Sequence, residues 1–185
     1  MSITLFIGII PLLIFVILDS ISNLKVALIG AVIMAVFELA FSVLYFNEID
    51  IVTILSFVLV VVLAFFSYKK ENPIHLKMQP VLLSFAFGFT FIIGYLLDYP
   101  IFYILSLKYK SSLPEKFTEL LSYPIFVDFL TLASLYMGYS FILHAIATWI
   151  TAVRLSNWSW ILMRGVGFYF FSFLAILLAK WRIGI

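Results

Sequence analysis

Four side chains able to carry charge or a proton fall inside, or at the end of, long apolar runs of this 185-residue chain: Asp19, Glu38, His144 and Arg164. A charged group in hydrocarbon is costly enough to mark a functional role with a partner by default. Counting roughly 1.5 Å of rise per residue from the middle of each run, Glu38 falls within about 3 Å of the midplane. By the same count Asp19, His144 and Arg164 fall about 10–12 Å from it, all on one side. A carboxylate, an imidazole and a guanidinium in one layer have the chemistry to bind an anionic headgroup or to relay a proton. They also admit a structural account, in which Asp19 and Arg164 pair or reach to the interface and His144 bonds a carbonyl. Glu38 lies just beyond a stripe of Ala27, Ala31 and Ala35, so it points toward a close helix contact and not toward lipid. There it is either a neutral, hydrogen-bonded carboxyl or a proton or cation site. Asp98, Asp128 and Lys180 fall near the opposite edge, as helix-end anchors.

Other chemistries find no footing. With no Cys there is no disulfide, thiol nucleophile or thiolate metal site. His75 and His144 lie in different elements and offer no i, i+4 metal pair. No Gly-rich phosphate loop and no nucleophile elbow occurs, so neither a cofactor nor an enzymatic function is expected. Ser134 and Gly138 form a small-xxx-small pair of the kind that packs membrane helices. The net charge is +2 and its Lys and Arg are scattered, which excludes nucleic acid as a partner.

The elements that must position these residues are apolar helices. Sixty-five per cent of residues are hydrophobic and 11% charged, with mean hydropathy +1.23, far above the roughly 45–50% apolar usage of soluble domains. The fold expected is an all-α, polytopic transmembrane helix bundle, one integral domain over 1–185. Six spans are expected, or five if the first does not cross. The runs are Ser2–Leu18, which has no signal-peptide cleavage site and contains Pro11 as a kink, then Val26–Phe46, Ile51–Tyr68, Pro80–Leu97, Ile125–Ile150 and Ile161–Ala179. Loops are expected over Lys69–Gln79 and Lys108–Glu119, and Ile101–Leu107 is apolar but too short to cross. Trp158, Trp160 and Trp181 mark the two ends of the last helix, where aromatic belts form. Loop charge does not settle orientation, because the Lys and Arg divide evenly between the two sides.

Several small motifs, in order, carry a family likeness: Pro11-Leu12-x-x-Phe15, the run Leu55 to Val62, Leu76-Lys77-Met78-Gln79-Pro80, and Pro100-Ile101 followed by Leu113-Pro114. The last is Trp160-x-x-x-Arg164-x-x-Gly167. Through them the chain resembles the intracellular septation protein A (YciB/IspZ) family of small bacterial inner-membrane proteins. It departs from the family in having Arg164 in place of Lys, Thr148 where Asn is frequent, and an acidic turn, Asn47-Glu48-Ile49-Asp50, where a basic one is common. The resemblance implies a multi-pass protein of the inner membrane with both ends in the cytoplasm, linked to septation, cell division and the cell envelope. Its partners would be membrane lipids or division and envelope-synthesis proteins, and it brings no catalytic motif. The rival expectation from the residues is a small transporter, channel or lipid flippase using Glu38 and the Asp19, His144, Arg164 layer. A lipid-modifying enzyme ranks below both for want of a nucleophile–base pair.

Overall fold

In lipid a backbone N–H or C=O has no water to turn to, so an apolar run of about 20 residues has one outcome, the α-helix. The computed structural model describes residues 10–46, 51–110 and 113–184. Among the described residues there are ten α-helices: α1 Ile10–Ile21, α2 Leu24–Phe46, α3 Ile51–Lys70, α4 Ile74–Lys77, α5 Gln79–Leu96, α6 Ile101–Lys108, α7 Glu115–Leu120, α8 Pro124–Arg154, α9 Asn157–Leu162 and α10 Phe168–Ile183. A π turn, Met163–Gly167, joins α9 to α10. The chain is an all-α bundle. Among the described residues five segments are long and apolar enough to cross a membrane: Leu24–Leu44, Thr53–Lys70, Ile74–Leu96, Pro124–Arg154 and Asn157–Ile183. The described part of the first run, α1, has 12 residues and rises about 18 Å, short of a roughly 30 Å core. The rest of that expected crossing, and the acidic turn at 47–50, lie outside the described residues.

The chain divides into two units, Met1–Leu83 with Thr148–Gly165, and Ser84–Ala147 with Val166–Ile185. In the first, the alanine stripe of α2 does what its spacing predicts. Ala27, Ala31 and Ala35 are buried, and they share a core with Leu12, Phe15 and Val16 of α1, Val60 and Ala64 of α3, and Ala152 and Trp160. Small side chains on one helix let large ones on the next approach closely, which is how helices hold together where hydrocarbon offers no hydrophobic drive. Trp160 corrects the expectation of an aromatic belt residue. It is fully buried in this core, whereas Trp158 and Trp181 are exposed.

The expected loop over Lys69–Gln79 is mostly helix. α3 runs on to Lys70, Asn72 Oδ1 accepts the Ile74 N–H at 2.9 Å, and α4 follows at once. Leu76 is buried in the core, and its N–H donates to Ser67 Oγ at 2.9 Å. Ile74 and Met78 pack against the same core beside Leu76, and burying these alternate apolar residues folds the connector back. Pro80 therefore sits second in α5 and does not open it.

In the second unit α5 meets α8 at two glycines. A Cβ on Gly88 would stand 3.1 Å from the Gly138 carbonyl oxygen, and one on Gly138 equally close to that of Gly88. Ser134, one turn earlier, accepts the Phe102 N–H at 2.9 Å and donates to the Leu130 carbonyl, so the small-xxx-small pair is a packing device. The short apolar run at 101–107 is α6, eight residues long, opened by Pro100. It is reached through a turn in which Asp98 takes φ +54° and the Tyr99 N–H returns to the Gly94 carbonyl at 2.8 Å. A side chain on Gly94 would stand 2.9 Å from the Tyr99 carbonyl oxygen, so glycine is what lets the turn close. Phe91 packs edge-on against Phe102 and also meets Phe141, which contacts Phe168, in one aromatic cluster.

Candidate functional site

The polar residues that matter are placed by three connector features: the end of α1, the folded-back α4, and the start of α9. Ser156 caps α9, its Oγ accepting the Ser159 N–H at 3.2 Å, and this fixes Asn157 as the first residue of the helix. Asn157 Nδ2 donates to Asp19 Oδ2 at 3.0 Å, while its Oδ1 accepts from Lys77 Nζ. One amide thus joins an anion and a cation with the polarity each requires. Lys77 is only 7% exposed, a position an ammonium keeps only with such partners.

Close in sequence to this trio, Gln79 is 1% exposed. Its Nε2 donates to Ser56 Oγ at 2.7 Å, and its Oε1 has no hydrogen-bond partner. Gln79 lines a small cavity with Glu38, Thr53 and Ser56 among apolar neighbours that include Pro11 and Ala35. The cavity leaves about 10 Å³ for the centre of a water, enough for about one molecule. Glu38 is the carboxylate whose charge acts on Arg164, which sits in the π turn. A π turn is a frequent device for re-aiming a side chain that a regular helix would place elsewhere.

Within the first unit Asp19 and Arg164 take different partners. Asp19 belongs with Asn157 and Lys77, and Arg164 is linked in charge to Glu38, which depth counting had placed apart from it. His144 lies in the other unit, 2% exposed. Its Nδ1 is 2.9 Å from Ser84 Oγ, and Phe168 and Phe171 stand edge-on to its ring. Depth along the normal was a fair guide to cost but carries no information on which helix faces which. Lys77, Asn157, Gln79, Ser56 and Ser84 were not singled out as site residues. Lys77 and Gln79 lie in a stretch whose composition predicts a loop, where a polar residue needs no explanation.

Of the motif residues, Pro11 lines the Glu38 cavity, Trp160 is core, and Arg164 and Gly167 belong to the π turn. Among the described residues no group of three or more His, Cys, Asp or Glu is placed to hold a metal ion. Comparison with protein-family models, curated proteins and solved structures returned no match. What the arrangement can do chemically is limited by its own bonding. Asp19, Lys77, Glu38, Arg164 and His144 each have a protein group in place, so they hold helices together before they offer anything to a substrate.

Proposed function

We propose that the chain is a non-enzymatic, multi-pass protein of a bacterial inner membrane that supports septation and envelope maintenance by binding membrane partners or lipid. The observation that carries this reading is that the polar side chains within the spans are turned toward one another. Asp19 meets Asn157 and Asn157 meets Lys77, Gln79 meets Ser56, and Ser84 meets His144. Large apolar and aromatic side chains such as Phe37, Leu44, Phe65, Phe89 and Phe173 are left on the outside. A protein built this way meets other molecules through its helix faces and short connectors. The cellular role rests on the ordered motifs through which the chain resembles the septation protein A family.

A second reading, a small transporter or flippase, draws on the cavity beside Glu38. The two part in one experiment. Purified protein in proteoliposomes is assayed for proton, ion and labelled-phospholipid flux, alongside Glu38→Gln and Arg164→Ala. In parallel, in-membrane photo-crosslinking is scored in dividing cells with substitutions on helix faces and over 108–119. The binding reading expects no flux, and loss of crosslinked partners together with elongated, poorly septated cells for the surface substitutions but not for Glu38→Gln. Flux abolished by either polar substitution would replace it with transport.

A further inference from the structure

Between α2 and α3 runs an open groove with about 310 Å³ of room. Its floor is made by Leu28 and Ala64, both buried, and its rims by Ile29, Ile33 and Phe65, each 60% exposed. On α2 the groove follows positions 25, 28, 29, 32 and 33, and on α3 positions 61, 64, 65 and 68. Each is a single helical stripe at i, i+3, i+4 spacing. From Lys25 to Ile33 the helix climbs about 12 Å, close to the roughly 15 Å of one leaflet's hydrocarbon. The groove is therefore as deep as one acyl chain's share of the bilayer, and it does not run the full length of the hairpin as a seat for a partner helix would.

Its mouth is polar and cationic. Lys25 Nζ stands 5.6 Å from the centre of the Tyr68 ring, which holds the ammonium at the groove's end. Lys69 and Lys70 occupy the last turn of α3 at the same end, and Glu71 is the one carboxylate in the connector that follows. Lys25 also lies in the first turn of α2, where Asn23 Oδ1 already accepts the Val26 N–H and the helix dipole adds to the positive potential. An apolar slot one leaflet deep with a net positive mouth has the complement of a phospholipid bearing an anionic headgroup. We propose that this groove seats one acyl chain of an anionic phospholipid, with its phosphate at Lys25. The inference goes beyond the septation reading and does not rest on it, since a chain with no role in division would select the same lipid.

The test uses the full chain in phosphatidylcholine vesicles carrying a trace of spin-labelled phosphatidylglycerol or spin-labelled phosphatidylcholine. The motionally restricted fraction is read by electron paramagnetic resonance. Phosphatidylglycerol should be favoured about fivefold, the factor that corresponds to about 1 kcal/mol for a lysine at an anionic surface. Lys25→Gln should bring the two lipids close to parity and Lys25→Arg should keep the preference. Ile29→Trp, on an exposed rim where folding is little at risk, should fill the slot and lower the restricted fraction of both lipids. Equal association of the two lipids with the native chain, or a preference that survives Lys25→Gln, overturns the proposal. The chain has no cysteine of its own, so efficient disulfide dimers of Ile29→Cys would assign the groove to a second copy and overturn it as well.

Discussion

Removing the amide that stands between Asp19 and Lys77 tests whether the polar trio is what ties the connectors of the first unit together. Asn157→Ala deletes two hydrogen bonds, one to a carboxylate and one to an ammonium. Bonds to charged groups contribute about 1.5–3 kcal/mol each, so the gross loss is about 3–6 kcal/mol. Part returns, because Asp19 and Lys77 carry opposite charges and attract across the gap that is left. The net cost expected is about 2–4 kcal/mol. Asp19→Leu leaves the buried Lys77 without its counter-charge and should cost about 3–5 kcal/mol, whereas Lys77→Leu leaves a part-buried Asp19 that keeps its bond from Asn157 and should cost about 1–3 kcal/mol. The double substitution strands none and should cost at least about 2 kcal/mol less than their sum. The readout is reversible unfolding in mixed micelles followed by tryptophan fluorescence, with each variant first shown to insert. A cost below about 0.5 kcal/mol for Asn157→Ala, the level of an ordinary surface substitution, would refute the argument. So would strict additivity of the two leucine substitutions.

Four further outcomes follow from the packing and hydrogen bonding. Trp160→Ala should cost about 3–5 kcal/mol, but Trp160→Phe much less, because the indole N–H has no hydrogen-bond partner to lose; the same unfolding assay separates them. Gly138→Ala should cost about 1–3 kcal/mol, since its Cβ would stand 2.7 Å from an Ile92 side-chain carbon and 3.1 Å from backbone atoms of α5. Gly165→Ala, with nothing within 4 Å, should stay within about 1 kcal/mol of the parent. A double-mutant cycle of Ser84→Ala and His144→Phe should give a coupling of about 1 kcal/mol, with the aromatic contacts of position 144 retained in the phenylalanine variant.

The helices were legible because hydrocarbon leaves the backbone no alternative, and hydropathy alone finds them. The alanine stripe of α2 and the Ser134–Gly138 pair were legible for a related reason, as small residues at helical spacing have few uses other than close approach. Pairing was not legible. Glu38 and Arg164 were placed in different layers by depth, yet the structure links them in charge, because a π turn at Met163–Gly167 leaves no mark in the hydropathy profile. The connector at 69–79 differs for another reason: its Lys, Glu, Asn and Pro resemble a solvated loop, and the residues that fold it back, Leu76 with Ile74 and Met78, look in sequence like stray apolar residues among polar ones. Trp160 illustrates the limit of composition rules, since a tryptophan near a helix end is commonly interfacial and only the surrounding core shows this one to be buried.

The trio has a consequence for how the chain is made. Asp19 and Asn157 are 138 residues apart, and Lys77 and Asn157 are 80 apart. At about 5–20 residues per second of synthesis, Asp19 waits on the order of ten seconds, with several later segments entering the membrane, before the amide that will bind it leaves the ribosome. Through that interval the first helices carry an incompletely solvated carboxylate and ammonium, and any chain cut short before α9 keeps them so. The trio therefore closes late: α1 and α4 are joined through it only once α9 has been made.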